Sequence, residues 1–419
     1  MNILDQIHLQ NPWYRNRAFR PAEEKLPKRN AFDDLWADIT NLRQIISISG
    51  LRRVGKSTLI KQIINSLLEN KTDPYKILYF SFDQPTILEE KDTLEKIITL
   101  YLKEILNKDI YKIKQKVYIF LDEIQLIPFW QDIVKRYYDI SPNLKFIVSG
   151  SASLLISSKS KESLAGRIFE KKLPPLTFSE YKKLSKNRDF EEFLNFGQFP
   201  ELLDINDNLK KIEYLKEGVI SKVLEVDIVK TYGVRKISDF ERLFWSLLPN
   251  CGQIIDSSRL MSDLGFKKAT LFKYLKVLEQ SLLINKVLNF SGSFRSEKRL
   301  LRKLYPGSSN FLSVISDPVN SGFKAETYVS SLLSSLNGSF YLYKISDKEI
   351  DFILPERKTV IEVKYQEKIH KSDFQTMKSY IKEKKYRGIM VTKNKEQEFQ
   401  DEDFTLIPIE EFEQKLTTI

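Results

Sequence analysis

Short unbroken apolar runs dominate the first third of the chain. Ile45-Ile46-Ser47-Ile48, Ile77-Leu78-Tyr79-Phe80-Ser81-Phe82, Val117-Tyr118-Ile119-Phe120-Leu121 and Phe146-Ile147-Val148 are brief and rich in β-branched and aromatic residues. They predict strands covered on both faces, the pattern of a parallel sheet flanked by helices. Thr58 to Ile64 instead spaces its apolar residues as a helix does. The stretch from Phe178 to about Arg235 is helical and charged. Asp239–Leu248 then reads as an amphipathic helix, Ser258–Leu264 as a short helix stopped by Gly265, and Lys267–Lys276 as the opening of a third. Ile284–Phe290, a Ser291-Gly292-Ser293 turn and a return from Phe294 make a hairpin, with Arg295, Lys298 and Arg299 nearby. That order is the order of a winged helix-turn-helix.

Alternation with a period of two reappears in Glu349–Leu354 and Thr359–Tyr365. A turn centred on Glu356-Arg357 would make the numbers of paired residues sum to 713 and set Asp351 opposite Glu362. A helix opening at Gly322, a helix from Phe374 to Lys382 and a strand from Arg387 to Thr392 frame this hairpin as an α/β core.

The chemistry sits at the ends of these elements. Gly50 to Ser57 reads GLRRVGKS, a complete G-x-x-x-x-G-K-[ST] loop between a predicted strand and a predicted helix. Gly50 and Gly55 let the backbone curl so that the N–H groups of Leu51, Arg52, Arg53 and Val54 face phosphates, and the helix N-terminus at Thr58 adds its positive dipole end. Lys56 would reach the β- and γ-phosphates and Ser57 would hold Mg²⁺. Asp122 and Glu123 end the third apolar run, where ligands bind in open α/β sheets. Asp122 would support the Mg²⁺ shell and Glu123 would activate water as general base. Ser149, or Ser151, is placed either to sense the γ-phosphate or to serve as a turn or cap serine. Arg167 follows a turn glycine, either as an arginine finger offered to a neighbouring subunit or as a solvated side chain.

In the C-terminal hairpin, Asp351 and Glu362 would repel unless a divalent cation lay between them, with Lys364 on the same face. Such a trio is the chemistry of the PD-(D/E)xK nuclease core: two acids hold Mg²⁺ and the lysine activates water. Glu326, in the helix upstream, resembles that core's extra acid. The same residues also fit a nuclease fold kept for binding, or solvated acids on an exposed strand face.

Composition narrows these readings. A chain of 419 residues has room for several domains, and 42% hydrophobic with 29% charged residues is a globular balance. One cysteine, Cys251, rules out intrachain disulfides and a cysteine-based zinc site, fits a reducing cytoplasm, and leaves Mg²⁺ or Mn²⁺ as the expected metal. No run approaches eighteen apolar residues, so no membrane span is expected, and the first residues lack the apolar core of a signal peptide. Lys plus Arg outnumber Asp plus Glu by 67 to 56, a net charge of +11 that permits DNA binding without demonstrating it. Lys267, Lys268, Lys273 and Lys276 of the third helix could meet phosphates, or form a solvated face of a protein-packing domain.

The motifs in order are NPWY, GLRRVGKST, FLDEIQ, IVSGSAS, LAGR, LPPLTFSEY and FGQFPELL. Together they resemble a widespread archaeal and bacterial family of predicted AAA+-like P-loop ATPases, across nearly the whole chain. Gln198 departs from it where the family often has a second glycine. The resemblance implies a P-loop ATPase with a winged helix and a C-terminal nuclease-like domain of unknown function. The expected α/β architecture is a parallel-sheet ATPase core with an N-terminal arm at 1–177, a helical lid at 178–235, a winged helix-turn-helix at 236–305 and a restriction-endonuclease-like domain at 306–419. The expected function is ATP binding and Mg²⁺-dependent hydrolysis in a homo-oligomer acting on DNA, with nuclease activity open. The rival expectation is an ATP-driven signalling or assembly switch whose nuclease-like domain is inactive and binds a partner protein.

Overall fold

The computed structural model describes residues 2–83, 92–151, 164–234, 236–290, 302–316, 319–336, 340–345, 348–393 and 404–416. The chain divides into two compact units, Met1–Leu173 with Lys230–Gly233, and Pro174–Val229 with Val234–Ile419.

The first unit is built on β1 (Ile45–Ser49), β2 (Ile77–Ser81), β3 (Val117–Asp122), β4 (Leu144–Gly150) and β5 (Ile168–Lys172). They form one parallel sheet in the order β2-β3-β4-β1-β5. Every residue of β1, β3 and β4 is buried, which is why these segments read as continuous apolar runs rather than alternating ones. Helices α1 (Ile3–Gln10), α2 (Phe32–Asn41), α3 (Lys56–Glu69), α4 (Thr93–Leu100) and α5 (Trp130–Ile140) belong to the same unit. Helix α3 leaves the loop after β1 and buries Leu59, Ile60, Ile63, Ile64 and Leu67, the spacing of a core-facing helix.

Strand β2 is an edge, and the N-terminal arm covers it with side chains instead of a further strand. The Asn11 amide accepts from Tyr79 N at 2.7 Å and donates to Tyr79 O at 2.8 Å. Gln10 does the same for Ser81, at 2.7 and 3.3 Å. Trp13 Nε1 and the Tyr14 hydroxyl both donate to Ile77 O, at 3.2 and 2.7 Å. Residues 77, 79 and 81 alternate along the strand, so these are the outward backbone groups that an edge leaves open.

The second unit carries β6 (Ile284–Asn289), β7 (Arg302–Pro306), β8 (Tyr341–Ile345), β9 (Lys348–Leu354), β10 (Thr359–Lys364), β11 (Arg387–Thr392) and β12 (Phe404–Pro408). They form a mixed sheet in the order β12-β11-β10-β9-β8-β6-β7. In the β9–β10 hairpin Leu354 pairs with Thr359, Ile353 with Val360 and Phe352 with Ile361, each pair summing to 713. Side chains alternate as that register requires. Phe352, Leu354, Ile361 and Val363 join one core with Tyr328 and Val329 of the helix Ser321–Ser334. Ile353 and Val360 join another with Met377 and Tyr380 of the helix Gln375–Lys384.

Three helices, Ile237–Leu247, Ser257–Leu264 and Lys268–Gln280, precede β6, and Gly265 ends the second in the left-handed region at φ +68°. Tyr274 stacks on Phe240 and meets Phe266 edge-on, pinning the third helix to the first. Strand β6 falls where the sequence puts the first wing strand, but its antiparallel partner is β7 at Arg302–Pro306 rather than a return beginning at Phe294; the two also end the seven-stranded sheet, because β6 pairs with β8. Residues 291–301, including Arg295, Lys298 and Arg299 of the expected wing, lie outside the described residues.

The helices Phe178–Leu184 and Phe190–Phe196, which the sequence places in a lid, bury Phe178, Tyr181, Phe190 and Phe193 in the core shared with Tyr328. Gln198, just beyond them, is 1% exposed. Its side-chain oxygen accepts from the Ser308 hydroxyl and from Ser309 N at 2.9 Å, and its own N–H donates to Asn310 Oδ1 at 2.9 Å. Asn310 in turn donates to the carbonyls of Phe193 and Leu194, at 3.1 and 2.9 Å, closing the helix end. A glycine at 198 could not make the side-chain part of this network. No helix among the described residues is long and apolar enough to cross a membrane.

Candidate nucleotide site and a distal acid cluster

The loop after β1 is shaped by two glycines. A Cβ on Gly50 would lie 2.5 Å from the Leu173 carbonyl oxygen, so only glycine fits there, and Gly55 holds φ +93°. Leu51 and Val54 are buried, Arg52 and Thr58 half-buried, and Arg53 is exposed with φ at 65°. Lys56 is buried, and its ammonium donates to the carbonyls of Gly50 at 3.1 Å and Leu51 at 2.9 Å. Arg29, a buried arginine that the sequence reading did not single out, donates to the Val54 carbonyl on the same loop.

Asp122 gathers the other half of the site. Its Oδ2 accepts from the Ser57 hydroxyl at 2.6 Å and from the Tyr79 hydroxyl at 3.1 Å. Its Oδ1 accepts from the Ser149 hydroxyl and from Glu123 N at 3.1 Å. Tyr79 of β2, the ends of β3 and β4 and the first turn of α3 therefore meet on one carboxylate, itself 1% exposed. Burial, and then the Asp122 charge, hold the Tyr79 phenol above its ordinary range, so it stays a donor. Ser57 and Asp122 offer the hydroxyl and carboxylate oxygens that Mg²⁺ prefers. Tyr79 was legible only as part of a buried strand; it lies two residues before Ser81, the partner of Asp122 in the β2–β3 pairing, on the same face of β2.

Glu123 has a left-handed backbone, φ 55°, and its carboxylate accepts from Gln125 Nε2 at 2.5 Å. A non-glycine residue in that region stores strain, a common feature of catalytic positions. Arg167 is half-exposed and makes a bidentate pair with Asp139 of the same chain, at 2.9 and 3.2 Å.

In the second unit, Asp351 and Glu362 are both buried and lie just past Phe352–Ile361, where the β9–β10 pairing stops. Asp351 Oδ2 accepts from Val363 N at 2.9 Å, and Glu362 Oε2 accepts from Asp351 N at 3.4 Å. Lys364 Nζ is 2.7 Å from Glu362 Oε1. Burial alone would lower the Lys364 ammonium, but Glu362 and Asp351 outweigh it and hold it above its usual range. Burial, followed by the Asp351 charge, pushes the Glu362 carboxyl up to about 8 and the Glu326 carboxyl up to about 7.

Two further residues, absent from the sequence reading, complete this cluster. Lys303 of β7 places its ammonium 2.5 Å from Glu349 Oε1, 3.0 Å from Glu326 Oε1 and 3.5 Å from Asp351 Oδ1. The Tyr305 hydroxyl donates to Glu326. The acids Glu326, Asp351 and Glu362, expected around a metal, thus face two lysines, and no group of three or more His, Cys, Asp or Glu among the described residues could hold a metal ion. The one available signal was the i, i+2 placement of Lys303 and Tyr305 on a single strand face.

Residues 42–182 match a family model described as an AAA domain. Residues 187–306 match a domain of unknown function, DUF8612, and residues 321–412 another, DUF4143. An uncharacterised protein of Haemophilus influenzae is 25% identical over 361 residues, covering 82% of this chain and 88% of its own. An uncharacterised protein of Methanocaldococcus jannaschii is 28% identical over 399 residues, covering 83% and 80%. Among solved structures, C. elegans PCH-2 aligns at 15% identity and TM-score 0.27 over 42% of this chain and 49% of its own. The S. cerevisiae Hsp104-ADP complex aligns at 15% identity and TM-score 0.32, over 62% of this chain and 40% of its own. The phosphate loop, the five-stranded parallel sheet and the similarity to the AAA domain model coincide in the same stretch of chain.

Proposed function

We propose that this chain is a Mg²⁺-dependent ATPase that works on DNA. The observation that carries the reading is the convergence of Ser57, Ser149 and Tyr79 on Asp122, one residue before Glu123. Ser57 and Asp122 would hold Mg²⁺, which when bound neutralises charge on the β- and γ-phosphates. Lys56 would exchange the Gly50 and Leu51 carbonyls for phosphate oxygens. Glu123 would take the proton of the attacking water. Arg167, released from Asp139, would serve the site of a neighbouring copy. Lys267, Lys268, Lys273 and Lys276 are exposed and would contact DNA phosphates, consistent with the net charge of +11.

Asp351, Glu362 and Lys364 would make the second unit a nuclease-like module that cuts or grips the DNA. The Lys303 contacts favour the gripping form, because one cation already engages the acids.

The test measures ATP turnover with junction, duplex and single-stranded DNA, with and without Mg²⁺. DNA-stimulated hydrolysis is expected, reduced ~10²- to 10⁴-fold by Glu123→Gln. Turnover indifferent to every DNA form, with no DNA retention at low salt, defeats the DNA half. Unchanged turnover in Glu123→Gln defeats the hydrolytic half.

A further inference from the structure

Lys303 comes to the acid cluster from far away in the fold. Its strand, β7, lies three places beyond β9 in the sheet order, yet its ammonium is 3.5 Å from Asp351 Oδ1. It also belongs to the segment matched by one family model, 187–306, while the four acids Glu326, Glu349, Asp351 and Glu362 belong to the segment matched by another, 321–412. The side chain is 4% exposed, so this is a built contact and not a surface approach.

The oxygens a metal would need are already in use. Glu326 Oε1 accepts from both Lys303 and Tyr305, Asp351 Oδ2 is held by Val363 N, and Glu362 Oε1 is held by Lys364. A divalent ion touching Asp351 Oδ1 and Glu326 Oε1 would share those atoms with an ammonium group. At such a distance two cations in a low-dielectric site repel strongly.

We infer that Lys303 is the resident cation of the distal acid cluster, standing where a nuclease of this pattern would keep its metal, and that a divalent ion enters only when Lys303 is withdrawn. The cluster is a lysine-filled site whose state is set by β7, the strand that ends the sheet on the side of the three-helix segment. The inference stands apart from the ATPase reading, since none of its residues lies in the first unit.

Mn²⁺ titration of the full chain without nucleotide, followed by electron paramagnetic resonance, tests it. Dependence on Asp351 separates this cluster from any ion bound near Ser57. The wild-type chain and Asp351→Asn are expected to bind the same number of Mn²⁺ ions. Lys303→Gln is expected to gain one Mn²⁺ per chain. That gain should vanish in the double variant with Asp351→Asn, and the melting temperature of Lys303→Gln should rise with Mn²⁺ over EDTA. A wild-type Mn²⁺ site lost in Asp351→Asn overturns the inference, as does a folded Lys303→Gln that gains no site. Should Lys303→Gln not fold, the wild-type and Asp351→Asn comparison still decides.

Discussion

The Ser57 hydroxyl donates to Asp122 Oδ2 across 2.6 Å, tying the first turn of α3 to the end of β3. Sixty-five positions separate these residues in the chain, and the parallel sheet brings them together. Tyr79 reaches the same oxygen from β2, which makes it a positioning residue for the acid.

Tyr79→Phe keeps the ring and removes the hydroxyl. Loss of an outer-shell partner commonly weakens a metal site by ~10- to 100-fold. The expected outcome is a higher Mg²⁺ requirement for ATP turnover, by about tenfold, with near-normal turnover at saturating Mg²⁺. A Mg²⁺ titration of hydrolysis checks it.

Gly50→Ala tests the loop's packing. The added Cβ would lie 2.5 Å from the backbone oxygen of Leu173, and a carbonyl in mid-chain has little room to yield. We expect loss of nucleotide binding and destabilisation of ~1–3 kcal/mol, the usual range for overpacking. Fluorescent-nucleotide binding and thermal melting report the two effects separately.

Gln198→Ala would leave Ser308 and Ser309 without their buried acceptor. Each unsatisfied buried group costs ~1–3 kcal/mol, so the second unit should lose on the order of 2–4 kcal/mol. Urea unfolding should show this while ATP binding by the first unit persists.

Lys145 gives a pH prediction. This side chain on β4 is 1% exposed and donates to the carbonyls of Gln44 and, at 3.3 Å, Asp38. Burial, then the charge of Lys116, pushes its ammonium down to about 7. Between there and the unfolded value of ~10.4 the unfolded chain binds more protons, so stability rises with pH across that window. Lys145→Met should remove this rise, a relative change on the order of a few kcal/mol. Parallel melts of both proteins from pH 7 to 10 check the difference in slope.

Local pattern carried much of this architecture. The apolar runs at 45–48 and 117–121 became strands, and the loop and acids at their ends fall where contiguous motifs put them. The register of β9 and β10 followed from one turn position and strict alternation, since a slip of one residue would invert both faces. Lys303 was invisible for the opposite reason. Its partners lie 23 to 48 positions onward and across the sheet, and no periodicity in β7 encodes which acids it will meet. Gln198 looked like a local departure at a turn because Ser308, Ser309 and Asn310, which meet its side chain and its N–H, sit more than a hundred residues away.

The arm that seals β2 also sets an order of events during synthesis. Gln10, Asn11, Trp13 and Tyr14 leave the ribosome before the strand they clasp, which is made some sixty residues later. Their partners in β2 do not exist until Ile77 to Ser81 has emerged. A polypeptide shortened past Tyr14 would be left with a bare rail of amides and carbonyls, ready to recruit a twin.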